Sequence, residues 1–122
     1  MSLGIVVVAH VPEMATGLAK LLHSIAPAIS ITAAGGNSVG AIGTSMDQIE
    51  RAFKANQATE LLVFYDFGSA KRNVELAAAF GDKNTYIYDT AFTEGAFTAA
   101  TMLASGQDRA AINAAVQRIV IK

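Results

Sequence analysis

Short runs of consecutive apolar residues alternate along this chain with segments whose apolar residues recur every three or four positions. The runs predict strands buried on both faces of a sheet, and they cover Gly4–Ala9, Ala28–Ala34, Glu60–Tyr65 and Thr85–Asp89. The segments between them predict helices. This alternation indicates an α/β fold, namely an open, doubly wound and mainly parallel sheet of strand order 2-1-3-4 with helices on both faces.

Proline, glycine and capping residues mark where the predicted helices begin. The first helix starts at Pro12, and its core-facing stripe is predicted to consist of Met14, Leu18, Leu21, Leu22 and Ile25. The second starts after an N-cap at Ser45, towards which the Gln48 side chain is predicted to reach back. The third starts after Ser69, and its apolar positions are Val74, Leu76, Ala77 and Phe80.

The last part of the chain predicts two more helices. One spans Thr93–Ser105 and stops at Gly106, and Asp108 caps the other. The tail Arg118–Ile121 predicts either a short C-terminal edge strand or the continuation of that last helix, because its apolar residues fit both periods. Residues 1–122 together are predicted to form one domain.

Composition narrows the function classes. Nine basic and ten acidic residues give a net charge of −1 without a basic stripe, so nucleic acid is not an expected partner. The chain has no cysteine, which excludes thiolate chemistry, and His10 and His23 lack the spacing of a metal site, so no metal is expected. His23 falls on the polar face of the first helix. The opening apolar run is too short to span a bilayer, so we expect no membrane insertion and a cytoplasmic location.

The candidate chemistry lies where two of the predicted strands end. His10 directly follows the first strand, and Asp66 directly follows the third. In a doubly wound sheet of this order, ligands bind between those two strands, beyond their carboxyl ends. A carboxylate bonded to one imidazole nitrogen fixes the tautomer and leaves the other nitrogen available as a nucleophile. His10 and Asp66 are therefore a candidate nucleophile and its supporting acid.

The same crevice suits a phosphoryl group. Helices are predicted to begin just after His10 and just after Ser69, and helix N-termini attract anions. The glycine-rich loop Gly35–Gly43 leaves the second strand at this edge and can add amide donors. Its glycine pattern is neither the Walker nor the dinucleotide-binding form, so the loop alone is a weak indication. Asp66 and Ser69 also fit purely structural roles as helix caps.

Several motifs, in order along the chain, resemble those of a known family: Val8–His10, Pro12–Gly17, Ala33–Gly36, Ile42–Ser45, Tyr65–Ala70 and Glu94–Gly95. They are similar to the phosphotransferase subunit of bacterial dihydroxyacetone kinase, a relative of the mannose-class IIA domain of the sugar phosphotransferase system. The resemblance implies a phosphotransferase in which His10 accepts a phosphoryl group from the phosphocarrier protein HPr. It implies that the group then passes to ADP on the nucleotide-binding subunit of the kinase, while a third subunit binds dihydroxyacetone.

The resemblance also assigns site residues and partners. Asp66 matches the carboxylate that supports the histidine, which implies phosphorylation at the Nε2 atom with Nδ1 turned towards Asp66. The positions that match the phosphate-receiving edge are Gly36, Thr44, Gly68 and Ser69. No cofactor is expected on this chain, whereas ADP or ATP and magnesium are expected on the partner subunit; a homodimer is expected. Val11 and residues 37–39 depart from the family pattern, which usually has a hydroxyl residue and an acidic turn there.

Three other functions fit parts of the pattern. A mannose-class IIA component that serves a sugar permease differs only in its partner. A receiver domain phosphorylated on Asp66 needs acidic magnesium ligands after the first strand, where this chain has Ala9 and His10. In a non-catalytic binding module, His10 and Asp66 would only hydrogen-bond a small ligand.

Overall fold

The structure, a computed structural model, describes residues 2–120 and is built around a four-stranded parallel sheet. The strands, in the spatial order β2-β1-β3-β4, are β1 (Leu3–Ala9), β2 (Ile31–Gly35), β3 (Glu60–Tyr65) and β4 (Asn84–Tyr88). The helices are α1 (Pro12–Ile25), α2 (Met46–Ala55), α3 (Gly68–Phe80), α4 (Phe92–Ala104) and α5 (Arg109–Val116). The predicted fold class and strand order are confirmed.

The two faces of the sheet carry separate apolar layers. On one face, Ile5, Val7 and Phe64 pack with α1, α4 and α5; on the other, Val6 and Val63 pack with α2 and α3. Because the central strands β1 and β3 are covered on both sides, their sequences are almost continuously apolar. The carboxyl ends of these two strands therefore meet in the middle of one edge of the sheet.

The buried stripe of each helix is narrower than its set of apolar residues. Two residues of the predicted core-facing stripe of the first helix, Met14 and Leu21, are exposed, and so are Leu76 and Phe80 among the apolar positions of the third helix. The residues that α1 and α3 bury are Ala15, Leu18, Ala19 and Leu22, and Ala70, Val74 and Ala77. These buried residues recur at helical spacing, and the exposed apolar side chains lie beside that stripe, where solvent reaches them.

The second strand is shorter than predicted because a turn precedes it. The Ile29 N–H donates to the Ala26 carbonyl oxygen at 3.0 Å, which closes a turn with Pro27 at its second position. Proline fixes φ at a value that suits this position of a β-turn. The predicted start at Ala28 was therefore wrong, and β2 begins at Ile31.

Two predicted capping arrangements are also corrected. Ser45 is the N-cap of α2, and its hydroxyl oxygen accepts from the Gln48 N–H at 3.5 Å. The Gln48 side chain does not reach back to the cap, because its Nε2 atom donates to the Asn37 carbonyl oxygen at 2.8 Å. The N-cap of α3 is Phe67, so Ser69 is already a helical residue and is not the cap.

The described helices are short. The longest, α1, has 14 residues, and α5 has eight and is capped by Asp108, whose Oδ1 atom accepts from the Ala111 N–H at 2.9 Å. The predicted Asp108 cap is thus confirmed. Within residues 2–120, no helix combines the length and apolar character needed to cross a membrane.

The tail contains elements of both predicted alternatives. Residues Gln117–Ile119 extend α5 as a turn of 3₁₀ helix. Val120 then forms a single antiparallel bridge with Thr90, beyond the end of β4. The helical continuation thus holds as far as residue 119, and strand-like pairing begins at residue 120. Ile121, the last residue of the predicted strand, lies outside the described residues.

Gly95, in α4, fills a position too tight for any side chain. A Cβ atom there would lie 2.1 Å from the Thr90 Oγ1 atom, 3.1 Å from Thr90 Cβ and 3.4 Å from Phe64 Cδ1. We expect Gly95→Ala to destabilise the protein by about 1–3 kcal/mol through overpacking, although alanine is the better helix former. Urea unfolding measures this. The control is Gly17→Ala, where the added Cβ meets nothing within 4 Å and should stabilise by about 0.5–1 kcal/mol; equal effects at both positions would contradict the packing argument.

Candidate functional site

His10 and Asp66 are brought together by the pairing of the two central strands. Val8 of β1 lies opposite Tyr65 of β3, and the Asp66 N–H donates to the Val8 carbonyl oxygen at 3.2 Å. His10 therefore leaves β1 beside the point where Asp66 leaves β3. The helices that follow these two strands, α1 and α3, cover opposite faces of the sheet, which opens a crevice between the two connections.

Asp66 accepts hydrogen bonds from three N–H groups. Its Oδ2 atom accepts from the His10 backbone N–H at 2.9 Å, and its Oδ1 atom accepts from His10 Nδ1 at 2.9 Å and from the Phe67 N–H at 2.8 Å. The Asp66 side chain is 4% exposed and that of His10 is 18% exposed. Both carboxylate oxygens accept from a backbone N–H group, and a carboxylate has no hydrogen to donate, so Nδ1 carries the hydrogen and, in the neutral ring, Nε2 keeps its lone pair.

The Nε2 atom of His10 faces the first turn of α3. It lies 2.7 Å from the Ser69 Oγ atom, and because Nε2 is the acceptor, the Ser69 hydroxyl donates. Of the first amides of α3, that of Ala70 donates to the Phe67 carbonyl oxygen at 2.9 Å, and the side chain of the N-cap residue, Phe67, caps none of the others. A Cβ atom at Gly68 would meet open space. An anionic group on Nε2 would thus meet the Ser69 hydroxyl and the positive end of α3.

Gly36 and Thr44 lie in the loop between β2 and α2, which runs beside His10. Gly36 has φ +81°, its N–H donates to the Ala9 carbonyl oxygen at 3.3 Å, and a Cβ atom there would lie 2.8 Å from Pro12 Cγ. The Thr44 hydroxyl accepts from Asn73 Nδ2 at 2.8 Å, which ties the loop to α3. Of the four residues predicted at the phosphate-receiving edge, Ser69 contacts the histidine ring directly, and Gly68 precedes Ser69 in the chain. The other two, Gly36 and Thr44, support the loop.

Sequence reasoning missed three contacts of this site. The Phe67 ring packs edge-on against the His10 ring, with centroids 5.4 Å apart at 62°, and is 61% exposed. The Gly43 N–H donates to the His10 carbonyl oxygen at 2.9 Å, and Asn73 holds Thr44. Phe67 adjoins Asp66 in the chain, which could have indicated its place. The other two contacts depend on the path of the loop, for which the sequence has no periodic pattern.

A second network holds α3 against the ends of β3 and β4. Asp89, just beyond β4, accepts from the Tyr65 hydroxyl through Oδ1 and from Lys71 Nζ at 2.9 Å through Oδ2. Burial, with a smaller effect of Asp89, raises the pKa of Tyr65, and the hydrogen bond to Asp89 raises the pKa of Lys71. Tyr65 directly precedes Asp66, and Lys71 lies one turn into α3, so the network fixes the two segments that bear the site.

The fold and the site together define a class of protein: an open α/β protein with a histidine–carboxylate pair at the topological switch point of the sheet, between β1 and β3. Residues 4–113 match the family described as PTS system fructose IIA component, EIIA-man. The chain therefore belongs to this family.

Two known relatives of the chain are subunits of dihydroxyacetone kinases. The chain is 42% identical over 122 residues to the PTS-dependent dihydroxyacetone kinase, phosphotransferase subunit DhaM, of Lactococcus lactis, covering 100% of this chain and 99% of that protein. It is 35% identical over 119 residues to the PEP-dependent dihydroxyacetone kinase 1, phosphoryl donor subunit DhaM, of Listeria innocua, covering 98% and 96%.

Solved structures share the architecture. A crystal structure described as an unknown function protein, EF1359, superposes with a TM-score of 0.85 at 27% identity, covering 100% of this chain and 98% of that one. A sigma-54 interaction domain protein from Enterococcus faecalis superposes with a TM-score of 0.69 at 16% identity, covering 96% and 89%. The second likeness concerns the fold alone.

Proposed function

We propose that this chain is a phosphohistidine carrier that accepts a phosphoryl group on the Nε2 atom of His10. One observation carries the proposal: the Nδ1 atom is bonded to the buried Asp66 carboxylate at 2.9 Å, while the Nε2 atom points at the N-terminus of α3. The first contact directs the lone pair to Nε2, and the second supplies donors for a dianion.

The loading step needs a donor that already carries a phosphoryl group on a side chain. The Nε2 lone pair attacks the phosphorus atom, a new P–N bond forms, and the bond between phosphorus and the donor side chain breaks with its electron pair leaving on the donor. The His10 ring becomes an imidazolium while Nδ1 keeps its hydrogen, and the Asp66 carboxylate stabilises that positive charge. As phosphorus arrives, the Ser69 hydroxyl must leave the Nε2 lone pair and can donate to a phosphoryl oxygen instead.

The unloading step is proposed from the relatives. Because they are subunits of dihydroxyacetone kinases, we propose that the phosphoryl group passes to a terminal oxygen of ADP on the nucleotide-binding kinase subunit, which forms ATP and returns His10 to its starting state. HPr is the proposed donor, and ADP and magnesium are assigned to the partner, not to this chain. The cytoplasm, where such partners occur, is the proposed location, and a homodimer is the proposed assembly.

Intact-mass and peptide mass spectrometry test this proposal. The chain is incubated with phosphoenolpyruvate, enzyme I and HPr, then digested with trypsin at alkaline pH to preserve the acid-labile P–N bond. Cleavage after Lys20 and Arg51 places His10 in peptide 1–20 and His23 in peptide 21–51. We expect one phosphoryl adduct, in peptide 1–20.

The acceptor is tested in the same mixture. Adding the nucleotide-binding subunit of the kinase with ADP should remove the adduct and produce ATP. The family description also names a sugar phosphotransferase component. If the adduct forms but persists with the kinase subunit and disappears with a sugar-permease component, the chain serves a permease. No adduct with active donors would refute the carrier function and favour a binding module.

A further inference from the structure

Ser69, His10 and Asp66 are connected by two successive side-chain hydrogen bonds. The Ser69 Oγ atom lies 2.7 Å from His10 Nε2, and His10 Nδ1 lies 2.9 Å from Asp66 Oδ1. Because Nδ1 carries the hydrogen, the Nε2 lone pair accepts from the Ser69 hydroxyl. A serine hydroxyl bonded to a histidine that a buried carboxylate orients is the arrangement of nucleophile, base and orienting group in serine hydrolases, where it recurs on unrelated folds.

The serine is the most accessible of these three residues. The side chains of His10 and Asp66 are 18% and 4% exposed, whereas Ser69 is an exposed residue at the second position of α3. Nothing lies within 4 Å of the place where a Cβ atom of Gly68 would be, and the neighbouring Phe67 is 61% exposed and apolar. A small acyl group with an apolar leaving group can therefore reach the Ser69 hydroxyl.

The start of α3 supplies donors for a developing oxyanion. Gly68 and Ser69 are the first two residues of the helix, so their N–H groups have no acceptor within it. The Ala70 N–H is not part of this set, since it donates to the Phe67 carbonyl oxygen at 2.9 Å. The first turn contains no acidic side chain that would offset the positive end of the helix. Backbone donors beside a serine nucleophile stabilise the negative charge that develops on a carbonyl oxygen.

We propose that the chain, with His10 unphosphorylated, hydrolyses small carboxylic esters with Ser69 as nucleophile, His10 as general base and Asp66 as positioning residue. The Ser69 Oγ atom attacks the carbonyl carbon and forms a C–O bond while its proton passes to His10 Nε2. The bond from that carbon to the alcohol oxygen then breaks, and Nε2 returns the proton to the departing alcohol. Water attacks the acyl-serine in the same way, with Nε2 accepting its proton and then returning it to Oγ, which releases the acid and restores Ser69. The inference is independent of the proposed function, because Nε2 acts here as a base and not as a nucleophile.

Diisopropyl fluorophosphate tests whether Ser69 is a nucleophile. Attack by Oγ forms a P–O bond, expels fluoride and passes the hydroxyl proton to Nε2, which leaves a stable phosphoryl ester on the serine. After removal of excess reagent, trypsin places Ser69 in peptide 55–71, where it is the only serine. We expect one adduct in this peptide in the wild type, and at least about tenfold less in Ser69→Ala and in His10→Gln.

The release of nitrophenolate from p-nitrophenyl acetate is the second measurement. Groups that act as a unit lose activity non-additively, so Ser69→Ala, His10→Gln and the double variant should all fall by about the same factor, at least about tenfold. The matched control is Ser24→Ala, which removes another exposed serine, whose hydroxyl donates to the Leu21 carbonyl oxygen at 2.6 Å. This variant should keep the wild-type level of both labelling and hydrolysis.

The labelling of the wild type decides the proposal without relying on the folding of any variant. Absence of an adduct on Ser69 would overturn the proposal, and phosphoryl uptake by His10 would still be judged by its own experiment. Nitrophenolate release that persists in Ser69→Ala but is lost in His10→Gln would also overturn it, because the imidazole would then be the nucleophile. Release that is unchanged in all the variants would show that no group of this site hydrolyses the ester.

Discussion

Replacing His10 with glutamine is expected to abolish phosphoryl uptake from both phosphorylated HPr and phosphoramidate. Glutamine keeps a polar side chain of similar reach, but its amide nitrogen has no lone pair available for attack on phosphorus. Loss of the nucleophile leaves no covalent route, so the adduct in peptide 1–20 should fall at least about 10³-fold, below detection. Intact-mass spectrometry of the two proteins under identical loading conditions measures the difference.

The control for this experiment is His23→Gln, which changes the other histidine of the chain. His23 is exposed on α1, as the sequence predicted. The His23→Gln protein should therefore be phosphorylated on His10 to the wild-type level. The His10→Gln protein must also be folded, which circular dichroism and urea unfolding establish. Its loss of one hydrogen bond to Asp66 is expected to cost about 1–2 kcal/mol. Undiminished phosphorylation of His10→Gln would contradict the carrier mechanism, and an adduct at Asp66 would support the receiver alternative.

The sequence pattern was sufficient to predict the strand order, because a strand buried on both faces of a sheet appears in the sequence as a continuous apolar run. The run Gly4–Ala9 and the run Glu60–Tyr65 contain the apolar residues that a central parallel strand requires, and they are β1 and β3. Once these strands are neighbours, His10 and Asp66 fall at one edge by geometry alone. The meeting of these two residues therefore follows from strand order, and the structure adds the distances.

Details that depend on close packing were not predictable in the same way. Met14 and Leu21 have a spacing close to that of a core stripe, but the stripe that α1 buries contains Ala15 and Ala19 beside Leu18 and Leu22, and a pattern of large apolar residues does not show which alanines face the core. Gln48 fitted a capping box, yet the nearby Asn37 carbonyl offered it a better partner. To predict the contact between Ser69 and His10, the residue at which α3 begins would have to be known. Sequence patterns locate helix boundaries poorly.

Asp66→Asn is expected to slow phosphoryl uptake by about 10²–10⁴-fold while keeping the size of the side chain. The carboxylate accepts from three N–H groups, two of them at Oδ1. An amide has one accepting oxygen, so its NH₂ group must face either the His10 backbone N–H or the pair formed by His10 Nδ1 and the Phe67 N–H. In the second orientation the amide donates to Nδ1, the hydrogen of the ring moves to Nε2, and the nucleophilic lone pair is lost.

The matched control for Asp66→Asn is Asp89→Asn, which removes a carboxylate near the same sheet edge but without a bond to His10. Asp89 contacts Tyr65 and Lys71, so its replacement should lower stability modestly and slow uptake far less than Asp66→Asn does. Uptake from phosphoramidate separates chemistry from docking, because that donor bypasses the partner surface. If the two variants are slowed equally with phosphoramidate, Asp66 acts only by holding the backbone, and its proposed control of the His10 tautomer is wrong. If only Asp66→Asn is slowed, the effect belongs to the Asp66–His10 contact rather than to a general loosening of this edge of the sheet.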